Sequence, residues 1–335
     1  MSSSSACEPR VLILAALLAA PLSGCTWSGG SVGNSDYKFV CSGLGGRVID
    51  GDLDLSFADP DDVAALSCVR EVTGQVTLSR SAALTDLRGL ESLREIGGAL
   101  TIVDASALSS LAGLDGLRAA GSVTVSGAPL LVDLSGLDAL EQTDALTLDH
   151  DDALQNLEGL RALSAGVGSA AVAVTIQLNA ALIDLTGLGA LEAVSDLELS
   201  DNPSLTSARG VASLRTVKGG LTLSGNPALA DLTALRGVKA VGAPGLEITA
   251  NDSLGSVAGL EDLATVHGDL VIASNSALAS LDGLSGLSLV EGAVWVDDNA
   301  CLPQSEVSEL VEQLDQYEVE GSQVQRGNSG PCEGL

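Results

Sequence analysis

Two acidic clusters hold most of the side chains in this chain that could do chemistry. Asp149-His150-Asp151-Asp152 places three carboxylates beside one of the two histidines. Asp50, Asp52 and Asp54, with Asp59, Asp61 and Asp62 beyond, form the second cluster. Hard carboxylate oxygens at close spacing suit Ca²⁺. The second cluster begins like an Asp-x-Asp-x-Asp-Gly calcium loop, but Leu55 stands where that turn needs glycine. Solvated acidic turns are therefore expected at both places, with no metal and no cofactor. A chain with 44 acidic residues brings carboxylates together wherever it folds, so pairs of them decide nothing. There is no serine-nucleophile motif, no phosphate-cradling glycine loop and no histidine–carboxylate framework. The expectation is a protein without enzymatic activity.

The elements that must position these residues are repeats. A short apolar-x-apolar strand recurs at Leu53/Leu55, Val76/Leu78, Leu100/Ile102, Val123/Val125, Leu146/Leu148, Val174/Ile176, Leu197/Leu199, Leu221/Leu223, Leu246/Ile248, Leu270/Ile272 and Val294/Val296. Subtracting successive numbers gives steps of 23 to 25, with one of 28. The long step falls in LSAGVGSAAVA, residues 163–173, a small-residue insertion. Beyond each strand, apolar residues follow at a spacing of three, as in Leu278, Leu281, Leu284, Leu287 and Val290. That spacing suits tight, 3₁₀-like arcs, with Gly187, Gly259 and Gly283 at bends. One coil cannot bury its own leucines, but stacked coils can, and each buried Leu or Val contributes about 1.5–3 kcal/mol before entropy is subtracted. Aromatics are only 2% of residues, so the core must be thin aliphatic layers. His150 and His267 fall five strands apart, too far for a shared site.

Units such as LTLSGNPALADLTAL (221–235) and LVIASNSALASLDGLSGL (270–287) resemble the leucine-rich-repeat superfamily, and among its members the receptor L domain. The resemblance covers residues 48–302. It implies a parallel β-sheet of about eleven coils with short 3₁₀ or irregular arcs. The expected organisation is a lipoprotein signal peptide at 1–24, a lipidated Cys25 with flexible tether at 25–40, a solenoid with its N-terminal cap at 41–302, and a helical cap at 303–335.

The N-terminus carries Arg10, then an unbroken apolar run from Val11 to Ala20, too short to span a bilayer. Leu22-Ser23-Gly24-Cys25 follows and resembles the lipobox of bacterial lipoproteins, in which the cysteine takes the lipid. Thr26, rather than Asp, follows the cysteine and favours the outer membrane, at the cell surface or its periplasmic face. With Cys7 and Cys25 set aside, Cys41, Cys68, Cys301 and Cys332 remain and allow three pairings. Cys41–Cys68 and Cys301–Cys332 are the local choices, as clamps at the two ends; a metal site is the alternative, unsupported by any CxxC. Val307, Leu310, Val311, Leu314 and Tyr317 share one helical face and predict a capping helix, with Ser305 at its N-cap. The whole is similar to surface lipoproteins of myxobacterial type.

A formal net charge of −29 argues against nucleic acid and anionic lipid as partners. The broad regular surface is the outward strand column: Asp54, Thr77, Thr101, Thr124, Thr147, Thr175, Glu198, Thr222, Glu247, Val271 and Trp295. It is polar, and only Trp295, expected beside the C-terminal cap, offers a ring for sugar stacking. The resemblance implies a location and an architecture but no defined ligand; a long rigid face on a tethered, exported scaffold leads to the expectation that it recognises a protein or glycan. The alternatives are an envelope spacer without a specific ligand and, less favoured, a metal-dependent enzyme that uses an acidic cluster. Asn179, Asn202, Asn226, Asn251, Asn275 and Asn299 each stand three residues after the second strand apolar residue. Six in register predict a structural ladder at the turn leaving each strand. Ala58, Ser81, Ala105, Ala128 and Asp151 take that position in the earlier coils, which should be less well stapled.

Overall fold

A computed structural model describes residues 26–27, 41, 47–315 except 167 and 169, and 323–328. Alternation of apolar and polar residues buries every second strand position, and the recurring strands stack in parallel. All eleven expected strand starts are neighbours in one register: Leu53, Val76, Leu100, Val123, Leu146, Val174, Leu197, Leu221, Leu246, Leu270 and Val294. A twelfth strand, Gln323–Arg326, continues the stack beyond Val294. The apolar-x-apolar pattern misses it, because polar Gln323 and Gln325 stand where the other strands are apolar. At a spacing of about 4.8 Å between strands, the stack is on the order of 50 Å long.

A second strand column precedes the first in each coil and runs through Val72, Ile96 and Ala120, then through Val194, Val217, Val241, Val266 and Val290. In four coils the two columns merge into strands of eight or nine residues, such as Glu95–Val103. The 163–173 insertion interrupts this second column. Ala165 bridges Gln142, the Gly166 N–H donates to the Ala170 carbonyl, and the strand resumes at Val172.

The arcs follow the spacing of three. Leu90 and Leu93 donate their N–H groups to Leu87 and Leu90, and the same i to i−3 bond recurs along the stack. Formal 3₁₀ helix appears at Thr233–Leu235 and Asp282–Leu284. The leucines of the arcs and the strands form one continuous aliphatic core. Gly187 has φ 128°, and a Cβ on it would sit 2.0 Å from the Leu157 carbonyl oxygen. Gly283 is required for a different reason: its φ is not left-handed, but a Cβ would sit 2.1 Å from the Val257 oxygen.

The ends are closed as an open solenoid requires. The C-terminal helix, Gln304–Asp315, buries Val307, Leu310 and Leu314 against the last coils. Glu306 accepts from the Leu281 N–H at 2.9 Å, and Gln313 donates to the Leu284 and Leu287 carbonyls. The helix begins one residue before the expected cap, so Ser305 lies inside its first turn and is not the N-cap. Tyr317 is outside the described residues. At the other end Cys41 and Cys68 form a disulfide, and the short helix Pro60–Ala64 starts from a capping box between Asp59 and Asp62. Cys301 is disulfide-bonded, while Cys332, its expected partner, lies outside the described residues. So do residues 1–24, Cys25 and 28–40; Thr26–Trp27 pair with Val48–Ile49.

Candidate functional site

The acidic clusters resolve into parts of the fold. Asp50 accepts from the Thr73 hydroxyl, Asp52 from the Gln75 N–H and Asp54 from the Ser56 N–H. Asp59 and Asp62 cap a helix. In the other cluster, Asp149 and Asp151 part company. Asp149 faces outward on the strand, accepting from the Ser126 hydroxyl and the Gln177 amide, with His150 Nδ1 at 2.7 Å. Asp151 is buried in the turn ladder. Among the described residues no three of His, Cys, Asp and Glu converge as metal ligands.

The six asparagines are fully buried and act as one ladder. The Asn226 amide donates to the Leu199 carbonyl of the previous coil at 2.8 Å and to its own Ser224 carbonyl at 3.0 Å. Its Oδ1 accepts from the Asn202 N–H at 3.0 Å. The other five repeat the cross-coil bonds, and Asn328, unnoticed in the sequence, extends them by one rung. The expected weakness of the earlier coils is also visible. Ser81 donates to the Leu55 carbonyl, but Ala58, Ala105 and Ala128 bring no side-chain acceptor.

Asp151 is the odd rung. Its Oδ1 accepts from the Ala128 N–H at 2.8 Å, as an asparagine would, but its Oδ2 is buried without a partner. Burial pushes its carboxyl up from 3.8 to about 7; the Ala128 hydrogen bond opposes this, and the nearby Asp149 and Asp152 charges add to it.

A further column precedes the ladder. Phe57, Arg80, Asp104, His150, Leu178, Asp201, Ala250, Ser274 and Asp298 all have positive φ, with Gly127, Gly225 and Gly327 in the same place. Every coil thus leaves its strand through one left-handed residue. The residue types are too varied to reveal this in sequence; only register to the asparagines could have.

The outward strand column is assembled as expected. Thr77, Thr101, Thr124, Thr147 and Thr175 are successive cross-strand neighbours, followed by Glu198, Thr222, Glu247, Val271 and Trp295. From Thr77 to Val271 these side chains are half-buried by their neighbours, while Trp295 is 38% exposed. Glu198 accepts from Ser200 and Glu247 from Thr249, so both carboxylates are held flat on the face. Trp295 does not end the sheet: the strand at Gln323–Arg326 lies on its far side.

Residues 45–132, the first coils, match the family model of the receptor L domain. The chain is a receptor L domain-like solenoid. The register described above carries the same coil well past the matched segment. Among curated proteins none matches the chain. A receptor L domain is a binding scaffold, which directs attention to the strand face of this one.

Proposed function

We propose that this receptor L domain-like protein is an exported, lipid-anchored and non-enzymatic surface protein that recognises a protein or glycan on its strand face. The observation that carries the reading is the unbroken outward column from Thr77 to Glu247, polar, half-exposed and held rigid by cross-strand pairing. Rigidity matters because a pre-ordered surface loses little entropy on binding. The Cys41–Cys68 disulfide supports an oxidising compartment, and the lipobox-like Leu22-Ser23-Gly24-Cys25 supports an anchor in the outer membrane.

The test is capture of saturable partners from intact cells by the full chain, followed by the double charge reversal Glu198→Lys with Glu247→Lys. The expected result is a partner whose affinity drops roughly tenfold or more in the double variant. Absence of any saturable partner would make the protein a spacer, and unchanged binding would move the site off the strand face.

A further inference from the structure

The arcs use carboxylates in a second repeating way. The Gly89 N–H donates to Glu91 at 3.0 Å, Gly113 to Asp115 at 2.8 Å, Gly136 to Asp138 at 2.9 Å and Gly259 to Glu261 at 3.1 Å. In each coil the acid stands two residues after the glycine and folds back onto it. Three successive coils lack that acid: Gly159, Gly187 and Gly210 are followed at the same position by Arg161, Gly189 and Ala212. Among the described residues, the N–H groups of these three glycines have no acceptor.

The surface sinks at this place into an open depression of about 510 Å³, lined by Arg161, Gly187, Gly189, Arg209 and Gly210 among others. Arg161 holds Glu158 at 2.6 Å. Arg209 makes no ion pair with any described residue. Two guanidinium groups therefore meet one carboxylate, on a chain whose net charge is −29. Four arcs supply their own anion, and the arcs at Ala234 and Gly283 carry Arg236 and Ser285 instead; at this depression the arcs bring two arginines together and leave backbone donors open.

We propose that this depression binds an external carboxylate, in the place that Glu91, Asp115, Asp138 and Glu261 fill in four other coils. The Gly187 and Gly210 N–H groups form the backbone part of the cradle, and Arg209 supplies the planar, two-toothed donor that suits a carboxylate. Arg161 adds charge from the rim. Both guanidinium groups are exposed to water, so the dissociation constant is on the order of 1 mM for a small dicarboxylate. This site is separate from the strand face, and neither reading depends on the other.

The experiment titrates the full chain with succinate, with neutral succinamide and with sulfate, read by ligand-observed NMR. Arg209→Ala removes the principal donor. Gly189→Asp writes in the acid that four other coils carry; a Cβ there meets nothing closer than the Gly210 carbonyl oxygen at 3.8 Å, so the variant has room to fold. The expected result is saturable succinate binding, absent for succinamide and weakened roughly tenfold or more in both variants. Gly189→Asp should also melt no lower than the wild type, which separates a filled site from a damaged fold. No saturable succinate binding up to about 50 mM would overturn the proposal. Binding undiminished in Gly189→Asp, or sulfate bound more tightly than succinate, would do the same.

Discussion

Replacing Asp151 with asparagine should convert an incomplete rung of the turn ladder into a normal one, with a benefit that grows from about pH 4 and is complete above about pH 7. The folded protein holds this carboxyl at about 7, against 3.8 ordinarily. Between those two values the folded state binds the proton more tightly than the unfolded chain does. Stability contributed by the protonated rung is therefore fully present below about pH 4 and is lost as pH rises through 7. At 1.36 kcal/mol per pKa unit, the loss is about 4 kcal/mol. An asparagine keeps the Oδ1 acceptor used by Ala128 and adds an uncharged donor where Oδ2 has no partner. Its cross-coil target is the Val125 carbonyl, by analogy with the Asn179 bond to Leu148. With unfolding entropy of about 2.1 cal/mol/K per residue over about 270 residues, 4 kcal/mol is about 7 °C in Tm. The assay is thermal unfolding by circular dichroism at pH 5 and pH 8. Other carboxylates titrate in both proteins, so the difference between variant and wild type isolates Asp151; Asp149, Asp152 and His150 beside it are common to both. Asp151→Asn should gain about 7 °C at pH 8 and about 3 °C at pH 5. Asn226→Asp should create the opposite behaviour, losing stability as pH rises. An equal shift at the two pH values, or a loss at pH 8, would refute the reasoning.

Asn226→Ala strips partners from the buried Asn202 N–H and Leu199 carbonyl, and at about 1–3 kcal/mol for each orphaned group it should cost about 2–6 kcal/mol in chemical denaturation. Leu178→Gly relieves a left-handed leucine at φ 58° and should be neutral or stabilising by up to about 1 kcal/mol, whereas most glycine substitutions elsewhere destabilise. The paired variant Cys41→Ser, Cys68→Ser opens a loop of 27 residues and should lower stability by about 3 kcal/mol, seen as early fraying of the first coils by hydrogen exchange. Cys25→Ser should abolish metabolic lipid labelling and release the chain from membranes; retention there would show that the anchor is elsewhere.

What the sequence alone determined is the repeat. A strand has a period of two and each coil must present its leucines to the next, so eleven recurrences of apolar-x-apolar fix register without any coordinates. The same register makes Asn226 a rung and Thr77 to Glu247 a face. Other features have no signature of residue type. The left-handed turn accepts Phe57, His150 and Leu178 alike, because the stacked neighbours, not the local chain, impose its conformation. The strand at Gln323–Arg326 carries glutamines where the strand beside it has Val294 and Val296. Asp151 looked like one member of an acidic cluster; only the fold sends Asp149 outward and Asp151 into the core, since residues two apart across a turn no longer share a face. The cations of the arc depend on tertiary structure most of all. Arg161 and Arg209 are 48 residues apart in sequence, and only the stacking of coils sets them around one depression, at the arc position where four other coils place an acid.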